Sequence, residues 1–263
     1  FGLRKTADVG EEEFGQLARE FVHNDFYVDD GLTSCSNPEE AINLVKSTKA
    51  MLATANLKLH KIASNAVEVM KTMPLEDRLD SIQNLDLQRD PLPSQRSLGV
   101  MWNLEDDVLT FSISLRRKPF TRRGILSVIN SIYDPLGFAT PATLPGKLIL
   151  RQLTTIAKET KKSDSPLGWD DPLPSTLWKK WNDWIETLCD LQEILIPRCY
   201  RPQHSSEIKR QEIHAFSDAS NNAIGVAIYL KLVNQADDVK VSLVFAQAKL
   251  SPKQATTIPR LEL

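Results

Sequence analysis

The sequence predicts a mixed α/β (α+β) chain, and three observations predict it. Short apolar strands alternate with a capped helix in the first third, and residues 122–195 carry apolar side chains at helical spacing. Residues 212–248 then read as strands separated by turn clusters. With 263 residues, 41% of them hydrophobic and 25% charged, the chain can bury one large core or two modest ones. No apolar run reaches membrane-spanning length and no signal peptide opens the sequence, so no membrane association is expected. Cys35, Cys189 and Cys199 are an odd three without metal-type pairing, which points to reduced thiols in a reducing compartment. His23, His60, His204 and His214 show no ligand spacing and are expected to be plain polar or strand residues.

Residues 25–28 read as a short strand, Asp29-Asp30-Gly31 as a tight turn, and residues 32–35 as a returning strand. Two adjacent carboxylates at a hairpin tip repel each other unless a divalent cation lies between them. Mg²⁺ is held by carboxylates together with substrate phosphates, so Tyr27-Val28-Asp29-Asp30 suits half of a two-metal clamp. The competing reading is a solvated turn, and Gly168-Trp169-Asp170-Asp171-Pro172 supplies a similar motif that reads simply as a turn before a helix.

Asn37-Pro38-Glu39-Glu40 is a helix start: Asn37 as cap, Pro38 at the first helical position, Glu40 three residues after the cap. Ile42, Val45 and Leu52 continue the helix to about Ala55. Residues 57–62 alternate as a strand with Lys61 near its end, and 97–103 and 108–113 form two strands joined by an acidic turn at 104–107.

The net charge of −2 hides an imbalance. Between Phe111 and Lys162 lie Arg116, Arg117, Lys118, Arg122, Arg123, Lys147, Arg151, Lys158, Lys161 and Lys162, opposed only by Asp134 and Glu159. Cations so concentrated in a near-neutral chain are the footprint of phosphate-backbone contact; a solvated helix flank is the alternative. After the apolar helix containing Ile125, Val128, Ile129 and Ile132, Pro135, Pro141 and Pro145 are expected to break the chain before a further helix at 147–160. Residues 163–168 form a loop, and Ser175 is expected to cap a helix. On that helix Leu177, Trp181, Trp184, Leu188 and Leu191 share one face, more in keeping with core than with base stacking. The polar stretch 200–209 is the best linker.

The final segment delivers Asp218 at the end of a strand, ahead of a turn cluster at 219–222. Strands at 223–230 and 241–248 follow, with Gly225 allowing close backbone approach. Pro259-Arg260-Leu261-Glu262 opens a helix, and Glu262 is either a ligand partner of Asp218 or only a charge favoured by the helix dipole.

These blocks, in this order, resemble a reverse transcriptase, and their wording (FYVDDGL, LKLHKIASN, SLGVMWN, ILSVINSIYDPLGFATPA, LGWDDPLP, IPRCY, HAFSDASNNAIGVAIYL, TIPRLEL) is similar to that of Pao/BEL-type LTR retrotransposon pol polyproteins. The resemblance spans essentially the whole chain. It implies the C-terminal part of a polymerase palm at 1–114, a mainly helical thumb/connection at 115–200, a linker at 201–210, and the opening of a truncated RNase H-like domain at 211–263. By the resemblance Asp29, Asp30, Asp218 and Glu262 are metal-binding catalytic carboxylates using Mg²⁺ or Mn²⁺, and Lys61 lies near the incoming nucleotide. Leu98, Gly99 and Trp102 belong to the hairpin that grips the primer end, and Lys118, Arg122, Arg123, Lys147 and Arg151 join Arg116 and Arg117 as nucleic-acid contacts. The implied partners are an RNA/DNA primer-template duplex, deoxynucleoside triphosphates in the complete enzyme, and the rest of the polyprotein, inside a cytoplasmic retroelement particle. A polymerase palm also needs an earlier strand aspartate. Asp8, expected in a loop, and Asp25, part of the hairpin, do not supply it, so the implied active sites are incomplete and the chain is read as an excised piece of a longer product. A catalytically dead nucleic-acid-binding remnant stays open as an alternative. An aspartic peptidase, a label this region of such elements can carry, lacks any Asp-Thr-Gly or Asp-Ser-Gly.

Overall fold

The computed structural model describes residues 2–97, 100–113, 118–159, 167–201, 207–253 and 257–262, with the side chains of 96 and 97 excepted. It divides into two compact units, Phe1–Leu109 and Thr110–Leu263.

The first unit opens with α1 (Gly2–Phe14) and α2 (Gln16–Asn24), joined through Gly15 at a φ of 93° that side chains rarely adopt. Asp8 therefore sits on a helix, not in a loop. Its carboxylate accepts from Arg19 Nε at 3.0 Å and from His23 Nε2 at 2.9 Å. Desolvation pushes this carboxyl up, but the two hydrogen bonds and the charges behind them outweigh it and hold Asp8 below the usual range. The hairpin β1 (Phe26–Tyr27) and β2 (Asp30–Gly31) follows, then α3 (Pro38–Ala53). Asn37 caps α3 as expected, accepting from the Glu40 amide at 2.9 Å, while the Glu40 side chain reaches back to the Ser36 amide at 3.1 Å. Ala7, Ala18, Val22, Met51 and Leu52 form one core, with Leu57 and Leu59 packed against it.

Residues 57–62 do not form the expected strand. Their alternation is real, since Leu57 and Leu59 turn inward while Lys58 and His60 face solvent, but among the described residues their only strand pairing is an isolated bridge between Ile62 and Arg78. A pleat without a neighbouring ladder is an extended segment, and periodicity alone cannot supply the neighbour. Residues 32–35 likewise leave the hairpin without strand pairing. The short helices α4 (Val67–Thr72) and α5 (Asp80–Gln83) precede β3 (Ser94–Ser97), β4 (Val100–Asn103) and β5 (Val108–Thr110). The β4–β5 connection is the acidic turn at 104–107 read from the sequence, while β3, antiparallel to β4 from Ser94↔Asn103 to Ser97↔Val100, went unread. Asp77, 1% exposed, is neutralised by Lys49.

The second unit begins its helices with α6 (Arg122–Ser131), capped by Thr121, whose hydroxyl accepts from the Gly124 amide at 3.1 Å. Next comes α7 (Thr140–Glu159), which runs without a break through Pro145. The expected separation of this region into short helices fails for a simple reason. Pro141 lies in the first turn, where amides have no helical partner, and Pro145 costs only one hydrogen bond in a helix otherwise held by packing. α8 (Trp178–Leu188) is entered through a 3₁₀ turn at Ser175–Leu177, and Ser175 makes no side-chain cap. The tryptophan face is core, as expected: Leu177, Trp181, Trp184, Leu188 and Leu191 are all buried with Ile125, Ile149 and Leu153. Trp184 Nε1 donates to the Ala142 carbonyl at 2.6 Å, and its ring occupies the space a side chain at Gly146 would need.

After the short β6 (Ile196–Pro197), three strands of 12 residues each, β7 (Ile208–Ala219), β8 (Ala223–Asn234) and β9 (Val239–Leu250), form an antiparallel meander. Registers run from Ile208↔Asn234 to Ala219↔Ile224 and from Ala223↔Leu250 to Val233↔Val239. The expected strands are present and longer than read. The expected linker overlaps β7 at Ile208 and Lys209, and its residues 202–206, with His204, lie outside the described residues. The loop between α6 and α7 docks on this sheet, since the Ala246 amide donates to the Leu136 carbonyl at 2.8 Å. Gly137, at φ 84°, passes so close that a Cβ would fall 1.7 Å from the Ala246 carbonyl oxygen. Asp134 holds the loop by accepting from the Gly137 and Ala139 amides at 3.0 and 2.8 Å. Burial pushes its carboxyl up, against the lowering effect of those amides, the Phe138 amide and Lys147. α9 (Ile258–Glu262) lies against β7.

Candidate functional site

The Asp29–Asp30 hairpin exists, displaced by one residue from the expected turn. Tyr27 pairs with Asp30 and Phe26 with Gly31, so the two-residue loop is Val28-Asp29 and Asp30 lies on the returning strand. Val28 adopts φ 60°, a left-handed conformation that is costly for a β-branched residue. Its side chain does not compensate, being 75% exposed. Both carboxylates are exposed, and among the described residues neither has a hydrogen-bond or ion-pair partner. They differ in this from Asp8, Asp77 and Asp170, each tied to a cation.

Lys61 is exposed and also left-handed, at φ 57°. Trp102, expected to touch nucleic acid, is instead 5% exposed within the core of Met70, Ile82, Leu92 and Leu104, and its Nε1 donates to Asp107 at 2.9 Å. Its position on the inward side of β4 makes it a support for that hairpin. Leu98 and Gly99 lie outside the described residues.

The basic segment is only partly free to meet phosphate. Arg116, Arg117, Lys161 and Lys162 lie outside the described residues. Lys118 is exposed and Lys147 half-buried. Arg122 is 9% exposed, with its guanidinium carbon 4.3 Å from the centre of the Trp169 ring and its buried Nε without an acceptor among the described residues. Arg123 forms a two-pronged pair with Asp170 at 2.7 and 3.0 Å. That hydrogen bond and the charge behind it raise Arg123 and lower Asp170 from their ordinary values. Arg151 donates to the Asn222 carbonyl at 3.3 Å, holding the turn between β7 and β8. Arg122, Arg123 and Arg151, expected as nucleic-acid contacts, therefore each have an intramolecular role. The motif first read as a mere turn, Gly168-Trp169-Asp170-Asp171, is what engages two of them. Paired arginines and paired aspartates were visible in the sequence, but nothing in their separation says that they meet.

Asp218 is the penultimate residue of β7, opposite Gly225, and exposed. Among the described residues, its Oδ1 accepts from the adjacent Ala219 amide, at 2.9 Å. Glu262 is exposed on α9, the helix that contacts the strand carrying Asp218. Further along β7, Glu212 accepts from His214 at 2.9 Å and Lys231 at 3.2 Å and pairs with Arg210 at 2.7 Å. The His214 bond, then the Lys231 bond and the nearby cations, hold the Glu212 carboxyl below its usual range. This hub was legible at strand spacing, since 210, 212 and 214 share a face. Among the described residues, no three His, Cys, Asp or Glu side chains converge as a metal cage, and no helix is long and apolar enough to cross a membrane.

Mixed helices with an antiparallel sheet, an aspartate at the end of its first strand and a helix returning against that strand are consistent with an RNase H-like domain. Residues 121–263, more than half of the chain, match the family model of the Pao retrotransposon-like RNaseH-like domain, and the chain belongs to that family. The match begins at the capping Thr121 and so takes in the helices as well as the strands. Neither a curated relative nor a solved structure matches the chain.

Proposed function

We propose that the chain is part of a retrotransposon pol polyprotein in which residues 121–263 contribute the opening of an RNase H-like nuclease and the Asp29–Asp30 hairpin belongs to a reverse transcriptase palm. The observation that carries this reading is the family match over the unit in which Asp218 ends the first strand of a meander and α9 packs on that strand. Asp218 and Glu262 offer hard, anionic oxygen donors with no ion-pair partner among the described residues, the ligand type that Mg²⁺ or Mn²⁺ takes. Two carboxylates do not complete a cage, so further ligands come from water, substrate phosphates or other parts of the polyprotein. Asp29 and Asp30 supply the same chemistry at the hairpin. When bound, such an ion stabilises the charge that develops on a transferring phosphoryl group. The chain's own part is to hold Asp218 on a paired strand and Asp29 and Asp30 on the hairpin, and to present cations such as Lys118 to the backbone of an RNA/DNA duplex.

The test uses the polyprotein carrying this chain. Asp218→Asn and Glu262→Gln should each abolish RNA cleavage in an RNA–DNA hybrid, and Asp29→Asn or Asp30→Asn should abolish DNA synthesis. An active Asp218→Asn enzyme removes the nuclease reading, and synthesis retained in both hairpin variants removes the palm reading. The rival reading is a nucleic-acid-binding remnant without catalysis; hybrid binding without cleavage by the unmutated polyprotein would favour it.

A further inference from the structure

Two tryptophans of the second unit are exposed, outside every carboxylate site described above. Trp169 is 45% exposed and Trp178 is 51% exposed, although buried tryptophans elsewhere in the same unit show that this core can take the residue. The segment entering α6 links them. Phe120 meets the Trp178 ring edge-on at 4.7 Å, and Arg122, two residues on, stacks on Trp169 at 4.3 Å. The backbone closes the same region, with the Arg123 amide donating to the Trp169 carbonyl at 3.0 Å and the Leu173 amide to the Phe120 carbonyl at 3.3 Å. Exposed Lys179 and Lys180 follow Trp178 on α8. Of the carboxylates in this arrangement, Asp170 is satisfied by Arg123, and Asp171 accepts from the Gly168 amide at 2.6 Å.

We infer that Trp169 and Trp178, with Phe120 and Arg122, form a stacking platform for single-stranded nucleic acid, and that Lys179 and Lys180 on the same helix as Trp178 add positive potential beside it. Aromatic faces beside cations bind an unpaired strand because every base offers a π-face and every linkage a phosphate charge. A duplex keeps its bases stacked internally and cannot use the tryptophans. Arg122 contributes by bracing Trp169, since its guanidinium is buried against the ring. The inference goes beyond the proposed nuclease and does not depend on it, because it requires neither a metal nor cleavage.

The experiment is fluorescence anisotropy of labelled oligo(dT) and oligo(rU) with the full chain, at low and high salt without divalent ions. Both strands should bind, more tightly than a blunt duplex of equal length, and quench intrinsic tryptophan fluorescence. Trp169→Ala and Trp178→Ala should each weaken binding about fivefold or more, at the low end of what stacking on one aromatic contributes. Trp178→Phe should recover most of the loss, and Lys179→Ala with Lys180→Ala should flatten the salt dependence. Unchanged affinity in both tryptophan variants overturns the inference, as does preference for duplex, or capture of a proline-rich peptide in place of the oligonucleotides. Should the alanine variants melt early, Lys179→Glu with Lys180→Glu on the exposed helix carries the same test, and undiminished binding there refutes the platform.

Discussion

The two carboxylate sites offer the same chemistry on opposite kinds of scaffold. Asp29 and Asp30 sit on a hairpin of two-residue strands, at a loop whose Val28 is held in a strained conformation. Asp218 is the penultimate residue of a strand of 12, registered with β8 without a break from Arg210 to Ala219, in a sheet tied to α6 and α7 through Leu136, Gly137 and Arg151. A short hairpin is marginal by itself and owes its conformation to its surroundings, whereas a three-stranded meander fixes its backbone through a long ladder of paired residues. The difference teaches that an unpaired acid can be presented through local strain or through global rigidity, and that the two should respond differently to mutation.

The largest effects should come from dismantling the rigid side. Trp184→Ala removes a ring buried between α7 and α8 together with its hydrogen bond to Ala142, and should cost about 3–5 kcal/mol in urea unfolding. Gly137→Ala places a methyl group against the Ala246 carbonyl. Because backbone cannot swing aside, and the φ is positive, the cost should be about 3 kcal/mol. A loss below 1 kcal/mol there would mean that the loop does not dock on β9. The strained side should behave in the opposite way. Val28→Gly relieves the left-handed valine and should raise stability by about 1 kcal/mol, with slower hydrogen exchange in the hairpin. A destabilised Val28→Gly variant would show that the loop carries no strain.

The smallest expected effect concerns pH. Glu212 is held below its ordinary range by His214, Lys231 and Arg210. Its contribution to stability is therefore present above the unfolded-state value and lost as pH falls through the lower folded one. Tm of the wild type should drop more steeply with acid than that of Glu212→Gln, and parallel curves would show that the hub is inert.

Much of this was legible in the sequence because it depends on local signals. The Asn37 cap, the tryptophan face of α8 and the strands β7, β8 and β9 follow from capping chemistry and periodicity. What escaped depends on partners distant in sequence. Residues 57–62 alternate like a strand but find no ladder, and Pro145 looks like a helix breaker until the packing around α7 is known. The basic segment shows the limit most clearly. Arg122 and Arg123 are set by Trp169 and Asp170, 47 residues further on, and no spacing rule encodes that meeting. The hairpin turn was placed one residue late because Asp-Gly is a stronger turn signal than Val-Asp, and the structure puts the loop at the less favourable pair.

The most direct measurement is Mn²⁺-induced line broadening in the ¹H–¹⁵N NMR spectrum of the chain itself. The account predicts saturable broadening centred on the amides of Asp218 and Ala219 and, separately, on those of Asp29 and Asp30, with Asp218→Asn abolishing the first and sparing the second. Sharp amides at both places under saturating Mn²⁺, or broadening around residue 218 that survives Asp218→Asn, would contradict it.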